Sequence, residues 1–446
     1  METASSSGLS SDLDGGRDPI VARATPAGRS ALAVVRVSAP AVGAIAELLC
    51  PDLDLDRPWS AQLVAVRNAA GEVLDRAVVV PYRAPRSYTG EDMLEVILHG
   101  SSYLVGAVID VCIVAGARQA RPGEFTRRAV ANGKMDLVQA EAVQDLVAAE
   151  TSWQARNARR QLGGELSAQI RSLRDGLVSL LAELEAGLDF GEHGVELDFQ
   201  RLEEGRWRCL ERLDGLLGTA VLGGRIRDGV RVVILGPVNA GKSTLFNHLV
   251  GRERAIVSPQ PGTTRDLIEA EIEVAGLRVV LVDTAGIGTP SDALELEGVR
   301  RARAAAAAAG AAILLWPCGG GEAPVEPDGI EVVRVRSKAD LSRDPIEAGW
   351  LPVSVHRGTG LEGLVQRLEA VVAAQEAELG DEVAISRRHR RGLERAKDEL
   401  EDCRFDAAEL AAERLRWAVE ELGEVIGDVS REAVLDEVFS GFCIGK

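Results

Sequence analysis

No part of the chain constrains its fold more than Gly236-Pro-Val-Asn-Ala-Gly241-Lys242-Ser243. This stretch follows the apolar run Val230–Leu235 and leads into Leu245-Phe-Asn-His-Leu-Val, so it predicts a phosphate-binding loop between a strand and a helix. Such a loop works by turning backbone N–H groups and a helix N-terminus toward phosphate oxygens. Asn239, Ala240, Gly241, Lys242, Ser243 and Thr244 are the nucleotide contacts expected within it. Lys242 is suited to reach the β and γ phosphates as a mobile point charge. Ser243 is suited to place its hydroxyl on Mg²⁺, an ion that keeps most of its other positions for phosphate and water.

Three further segments narrow the nucleotide. The run Val279-Val-Leu-Val reads as a fully buried strand ending in Asp283-Thr284-Ala285-Gly286. An acidic residue there holds Mg²⁺ through water, and Gly286 lets its N–H meet the γ-phosphate. Upstream, Gly262-Thr263-Thr264-Arg265-Asp266 sits where a first switch belongs, with one threonine hydroxyl to complete the Mg²⁺ shell. Downstream, Ile330–Val335 runs into Ser337-Lys338-Ala339-Asp340, where Asp340 accepts from guanine N1–H and N2–H₂. Adenine lacks those donors, so a desolvated carboxylate rejects it. Ser337 departs from the usual pattern, because GTPases generally carry Asn there. Ser offers one short hydroxyl where Asn offers an acceptor and two donors. Ser354-Val355-His356, after the apolar Leu351–Val353, is the candidate loop over the base.

The whole sequence sets the outer bounds. A chain of 446 residues has room for two or three domains, each with a real core. No window approaches the roughly 20 apolar residues of a membrane span. Residues 1–17 are rich in Ser, Gly and Asp, and read as a disordered tail rather than a signal peptide, so a cytoplasmic protein without membrane attachment is expected. Six scattered cysteines without a C-x-x-C pair argue against a zinc site or disulfide framework. The formal net charge of −18 argues against a long phosphate-neutralising surface. Any RNA contact must then run through a local basic patch or a more basic partner.

The fold class expected is multidomain α/β plus all-α. Residues 18–134 read as a mixed α/β domain, with strands at Ala31–Val37, Gln62–Val66, Ala77–Tyr82 and Met93–His99, and a helix from Gly100 to Gly116. Arg36 and Glu95 stand out as charges inside apolar runs. From 135 to 225 the texture is helical, and Leu162, Leu166, Ile170, Leu173, Leu177, Leu180, Leu184 and Leu188 predict one apolar stripe on one long helix. A second helical part covers 376–446, with helices over Arg387–Cys403 and Ala407–Gly423. The nucleotide domain, 226–375, is then an insertion between the two helical parts. The alanine run after Arg303 reads as one of its helices.

Five segments outside the phosphate loop carry a more specific resemblance. They are Asp18-Pro-Ile-Val-Ala-Arg-Ala-Thr-Pro-Ala-Gly-Arg29, Ser87-Tyr-Thr-Gly-Glu-Asp92, Ala120-Arg-Pro-Gly-Glu-Phe125, Lys134-Met-Asp-Leu-Val-Gln-Ala-Glu-Ala142 and the terminal Phe442-Cys-Ile-Gly-Lys446. With them the chain resembles the MnmE (TrmE) family of tRNA-modifying GTPases over nearly its whole length. The resemblance implies an N-terminal folate-binding and dimerisation domain, a discontinuous helical domain and an inserted P-loop GTPase domain. It implies a homodimer working with the FAD protein MnmG (GidA), in a heterotetrameric or larger complex, on the wobble uridine of tRNA. The pair would install a carboxymethylaminomethyl or aminomethyl group at carbon 5, using 5-formyltetrahydrofolate or a related tetrahydrofolate, with FAD only on the partner.

Residue by residue, the resemblance places the folate site on Arg36, Glu95, Lys134 and Lys446, and makes Cys443 a candidate reactive thiol. It implies a K⁺ beside the phosphates, held by Asn239, Ser258, Gln260 and Thr263, with Mg²⁺ on Ser243 and Thr264. Pro259, Pro261 and Gly262 complete that loop around GTP. Glu295 is the expected water-positioning residue, acting with Lys242 and Asp283. The two prolines of Ser258-Pro-Gln-Pro-Gly262 are more than is typical, and Asp283-Thr-Ala-Gly-Ile-Gly288 lacks a basic residue that some members carry. The rival readings are a ribosome-assembly GTPase of the Era type, which requires a basic RNA-binding domain, and a GTP-dependent scaffold without chemistry.

Overall fold

The computed structural model describes residues 18–190, 197–220, 223–224, 229–252, 268–274, 276–283, 309–320, 322–327, 329–341, 345–377, 383–428 and 432–445. These fall into two compact units, one of residues 1–144 with 423–446 and one of residues 145–422.

In the first unit the apolar alternation of the N-terminal sequence produces a six-stranded sheet. Its strands are β1 (Ile20–Arg23), β2 (Ser30–Ala39), β3 (Gln62–Arg67), β4 (Val73–Tyr82), β5 (Asp92–Gly100) and β6 (Arg118–Gln119), in the order β3-β4-β5-β2-β1-β6. Neighbours are antiparallel except β1 and β6. Val35, Val37, Leu94, Val96 and Leu98 point to one face, and join Ile45, Leu49, Val105 and Val108 of α1 (Gly43–Leu49) and α2 (Ser102–Val114) in a core. The period of two sends Arg36 and Glu95 to the other face, where the register sets them directly opposite each other. That face carries a smaller cluster of Ile20, Ala22, Met93 and Phe125, the last from α3 (Glu124–Ala131).

The helices of the second unit begin with the end of α4 (Leu137–Ala148), then α5 (Ser152–Leu162), α6 (Glu165–Phe190) and α7 (Phe199–Gly218). The leucine stripe therefore does not lie on one helix. Leu162 closes α5, and Gly163-Gly164 interrupts the spiral, with Gly164 at φ +84°. Leu166, Ile170, Leu173, Leu177 and Leu184 form the buried stripe of α6, whereas Leu188 is exposed.

The second sheet contains β7 (Val230–Leu235), β8 (Ile268–Val274), β9 (Leu277–Asp283), β10 (Ala311–Pro317), β11 (Glu331–Ser337) and β12 (Leu351–Val353), ordered β12-β11-β10-β7-β9-β8. All pairings are parallel except β8 with β9. The helices α8 (Lys242–Arg252) and α9 (Leu361–Ala377) bury Leu245, Phe246, Leu249, Leu364 and Leu368 against it. Beyond it come α10 (Arg387–Glu401), α11 (Ala408–Ile426) and α12 (Glu432–Ser440), the last in the first unit. Arg206 of α7 donates to the Leu400 carbonyl of α10 at 3.0 Å, and Lys397 pairs with Asp214 at 2.7 Å. The helices before and after the nucleotide sheet thus pack together, as an insertion requires. The alanine run after Arg303 lies largely outside the described residues.

Candidate nucleotide and N-terminal sites

Strand order reverses at β7, the position at which open parallel sheets place ligands beyond their carboxyl ends. The register brings four expected segments to that edge. Ile234 lies opposite Asp283, Leu235 opposite Leu314, Pro317 opposite Ser337, and Ser337 opposite Val353. The phosphate loop follows β7, and Lys242 opens α8. Asn239 occupies the left-handed region at φ +61°. Lys242 Nζ donates to the carbonyls of Gly236 and Pro237, both at 2.9 Å. Burial lowers the Lys242 pKa, and the nearby Asp283 charge partly offsets this. Asp283 is itself fully buried at the end of β9. Ser243 and Thr244 are exposed on the first turn of α8.

The base-side segments meet as well. Val333, Val335 and Ser337 share one face of β11 by alternation, and Ser337 Oγ donates to the Ala240 carbonyl of the phosphate loop at 2.7 Å. Lys338 follows in the left-handed region at φ +56°. Asp340 is exposed, and its carboxyl is held below its ordinary value by the Ser354 hydroxyl first, then by its own backbone N–H, Arg357 and His356. Ser354 Oγ also accepts from Arg357 N at 3.2 Å, and the Ser354 backbone bridges to Thr359. Val355 and His356 lie in the turn between. Ser258, Pro259, Gln260, Pro261, Gly262, Thr263, Thr264, Thr284, Ala285, Gly286 and Glu295 lie outside the described residues.

In the first unit Arg36 and Glu95 form an ion pair at 2.8 Å. Glu95 also accepts from Tyr82 Oη at 3.0 Å, and Arg36 donates to the Gly445 carbonyl at 3.3 Å. The guanidinium stands 5.4 Å from the Tyr88 ring centroid and 5.8 Å from that of Phe125. Lys134 donates to the Pro85 carbonyl at 2.9 Å. The Ser87–Asp92 loop is fixed through Thr89, whose hydroxyl bonds Ser38, and through Glu91, which pairs with buried Arg128. Arg128 also pairs with Glu124, which in turn holds Arg118. Cys443 is exposed, two residues before Gly445, while Lys446 lies outside the described residues.

Tyr82, Tyr88 and the Ala240 carbonyl were not singled out by sequence reasoning. Tyr82 had a usable signal, being one same-face step along β4 from Val80, which pairs with Glu95. A backbone carbonyl such as that of Ala240 leaves no signal in a sequence.

Two family models account for the chain. One described as GTP-binding protein TrmE N-terminus matches residues 19–134, and one described as MnmE helical domain matches 137–443. The chain belongs to the MnmE family. Relatives named tRNA modification GTPase MnmE include those of Methylobacterium radiotolerans, 42% identical over 96% of this chain and 99% of its own. Those of Alkalilimnicola ehrlichii, 40% identical, and Aquifex aeolicus, 39% identical, each align with 96% of this chain and 100% of their own. A solved Era from Aquifex aeolicus is 25% identical over 32% of this chain and 56% of its own, at a TM-score of 0.26, too low to add to the assignment. The match at 19–134 gives the N-terminal region an MnmE-family identity, which the Era-type reading leaves unexplained.

Proposed function

We propose that the chain is a GTP hydrolase acting in tRNA modification. The observation that carries this reading is the convergence of the phosphate loop, Asp283 and the Ser337–Asp340 loop on one sheet edge, in a member of the MnmE family. Lys242 neutralises charge on the β and γ phosphates, and Asp340 selects guanine. The exposed Ser243 hydroxyl and the Asp283 carboxylate are hard oxygen donors of the kind Mg²⁺ takes, with Thr264 as a third. Bound Mg²⁺ and K⁺ supply fixed positive charge where the transition state develops negative charge. Asn239, Ser258, Gln260 and Thr263 offer oxygen ligands for K⁺, and Glu295 orients the attacking water.

The finer reading adds a tetrahydrofolate site around Arg36, Glu95, Lys134 and Lys446. Its support is a guanidinium near two aromatic rings, paired with a carboxylate and bonded to the Gly445 carbonyl of the C-terminal tail. A tetrahydrofolate bound there would supply the one-carbon unit. The chain then acts as a homodimer with MnmG and its FAD, placing on carbon 5 of the wobble uridine the aminomethyl group, with ammonium as the amine, or the carboxymethylaminomethyl group, with glycine as the amine. Cys443 is the candidate thiol beside that site.

Reconstitution with MnmG and its FAD, unmodified tRNA, GTP, 5-formyltetrahydrofolate or methylenetetrahydrofolate, NADH as reductant and ammonium or glycine as the amine, read by nucleoside mass spectrometry, tests this directly. The modified uridine is expected with the native chain and not with Lys242→Ala. Unmodified uridine in both would refute the assignment.

A further inference from the structure

Ser337 carries a single hydroxyl proton, and the structure shows where it goes. A carbonyl oxygen only accepts, so the 2.7 Å contact between Ser337 Oγ and the Ala240 carbonyl commits that proton to the phosphate loop. The arrangement leaves little freedom. Ser337 is 6% exposed, and its strand is flanked on both sides at this point, by Pro317 of β10 and Val353 of β12. Its own carbonyl accepts from Cys318 N at 2.8 Å. Ala240 is fully buried at the turn into α8.

Guanine presents two chemically different edges. The edge with N1–H and N2–H₂ donates, and Asp340, held by Ser354, accepts from it. The edge with N7 and O6 only accepts, so whatever reads it must donate. Ser337 has no proton left to give. Asn, with two N–H bonds on one nitrogen, could serve the Ala240 carbonyl and the base together.

From this we infer that Ser337 is a positioning residue that clamps the base loop to the phosphate loop and leaves guanine N7 unread, so that selection of the base falls to Asp340. This rests on the proposed GTP-binding function and specifies how that site chooses its nucleotide.

The test is calorimetric titration of the full-length native chain, Ser337→Ala and Ser337→Asn with GDP and with 7-deaza-GDP, in which N7 is replaced by a carbon that cannot accept. In the native chain the two nucleotides bind with affinities equal to within about two-fold. Ser337→Ala weakens both by the same factor, about five-fold, the size of one lost hydrogen bond. Ser337→Asn binds GDP about five-fold more tightly than the native chain and leaves 7-deaza-GDP at its native affinity, a penalty against the 7-deaza nucleotide that a purely structural role could not create.

Three results would overturn the inference: a 7-deaza penalty in the native chain that Ser337→Ala abolishes, an unchanged GDP affinity in Ser337→Ala, or no penalty in Ser337→Asn. A native chain that binds neither guanine nucleotide would overturn the GTPase reading itself, which is a distinguishable outcome.

Discussion

Asn239 has two physical reasons to be where it is. Its side chain is an oxygen donor beside the phosphate loop, and its backbone sits at φ +61°, a conformation that Asn tolerates better than most residues. Alanine removes both properties together, so Asn239→Ala alone cannot separate them. Glycine keeps the turn and removes only the amide. If the amide is a K⁺ ligand, Asn239→Gly binds GDP like the native chain yet loses its activation by K⁺. Retained activation would make Asn239 a turn residue only. Lys242→Ala is expected to lower GTP hydrolysis by about a hundred-fold or more, since it removes the charge aimed at the phosphates. At this scale the sequence was most legible where contacts are local: the phosphate loop and Ser243 follow from one strand, one turn and one helix, and Asp283 from the end of the buried strand β9. The pairing of Asp340 with Ser354 was not legible, because it depends on β11 and β12 lying side by side.

At the scale of elements, the C-terminal tail is fitted to the first sheet through Gly445. A Cβ there would lie 2.3 Å from the Arg23 carbonyl, and the residue is at φ +97°. Gly445→Ala should therefore displace the tail and remove the acceptor of Arg36. Tetrahydrofolate affinity, measured by fluorescence titration, is expected to fall about ten-fold while GTP hydrolysis is unchanged, and unchanged folate affinity would detach the tail from that site. The buried network of α3 is a second test. Burial alone would raise the Glu124 pKa, but Arg118, the Arg121 N–H and Arg128 outweigh it and hold the carboxyl below its ordinary value. Its stabilising contribution is thus complete above the unfolded pKa of about 4.3 and is lost as pH falls through the lower folded value. Glu124→Gln should cost about 3 kcal/mol near neutral pH in denaturant titration, and less in acid. Element types were legible from hydrophobic period, but the division between α5 and α6 was not. Gly163-Gly164 keeps Leu162 in step with Leu166, so the period continues across a break in the helix.

At the scale of the molecule, Ala384 joins the nucleotide sheet to the helix α5. Its side chain is buried in the core of the nucleotide sheet. Its N–H donates to Asn157 Oδ1 at 3.0 Å and its carbonyl accepts from Gln161 Nε2 at 2.6 Å, so α5 grips the segment that leads into α10. A cavity of about 190 Å³ adjoins this grip. The double variant Asn157→Ala, Gln161→Ala should leave GTP hydrolysis intact and lower tRNA modification several-fold in the reconstituted reaction. Equal loss of both would show instead that α5 supports the nucleotide sheet itself. The insertion of one domain between two helical parts was legible from texture. The inclusion of residues 423–446 in the N-terminal unit was not, because it follows from Phe439 and Phe442 packing with Leu137 and Ala140, residues far apart in the chain. The central proposal, that this GTP hydrolase is activated by K⁺, is tested most directly by steady-state GTP hydrolysis in KCl and in NaCl at equal ionic strength. About ten-fold or greater activation by K⁺, absent in Asn239→Gly, is the predicted result. Equal rates in the two salts would contradict it.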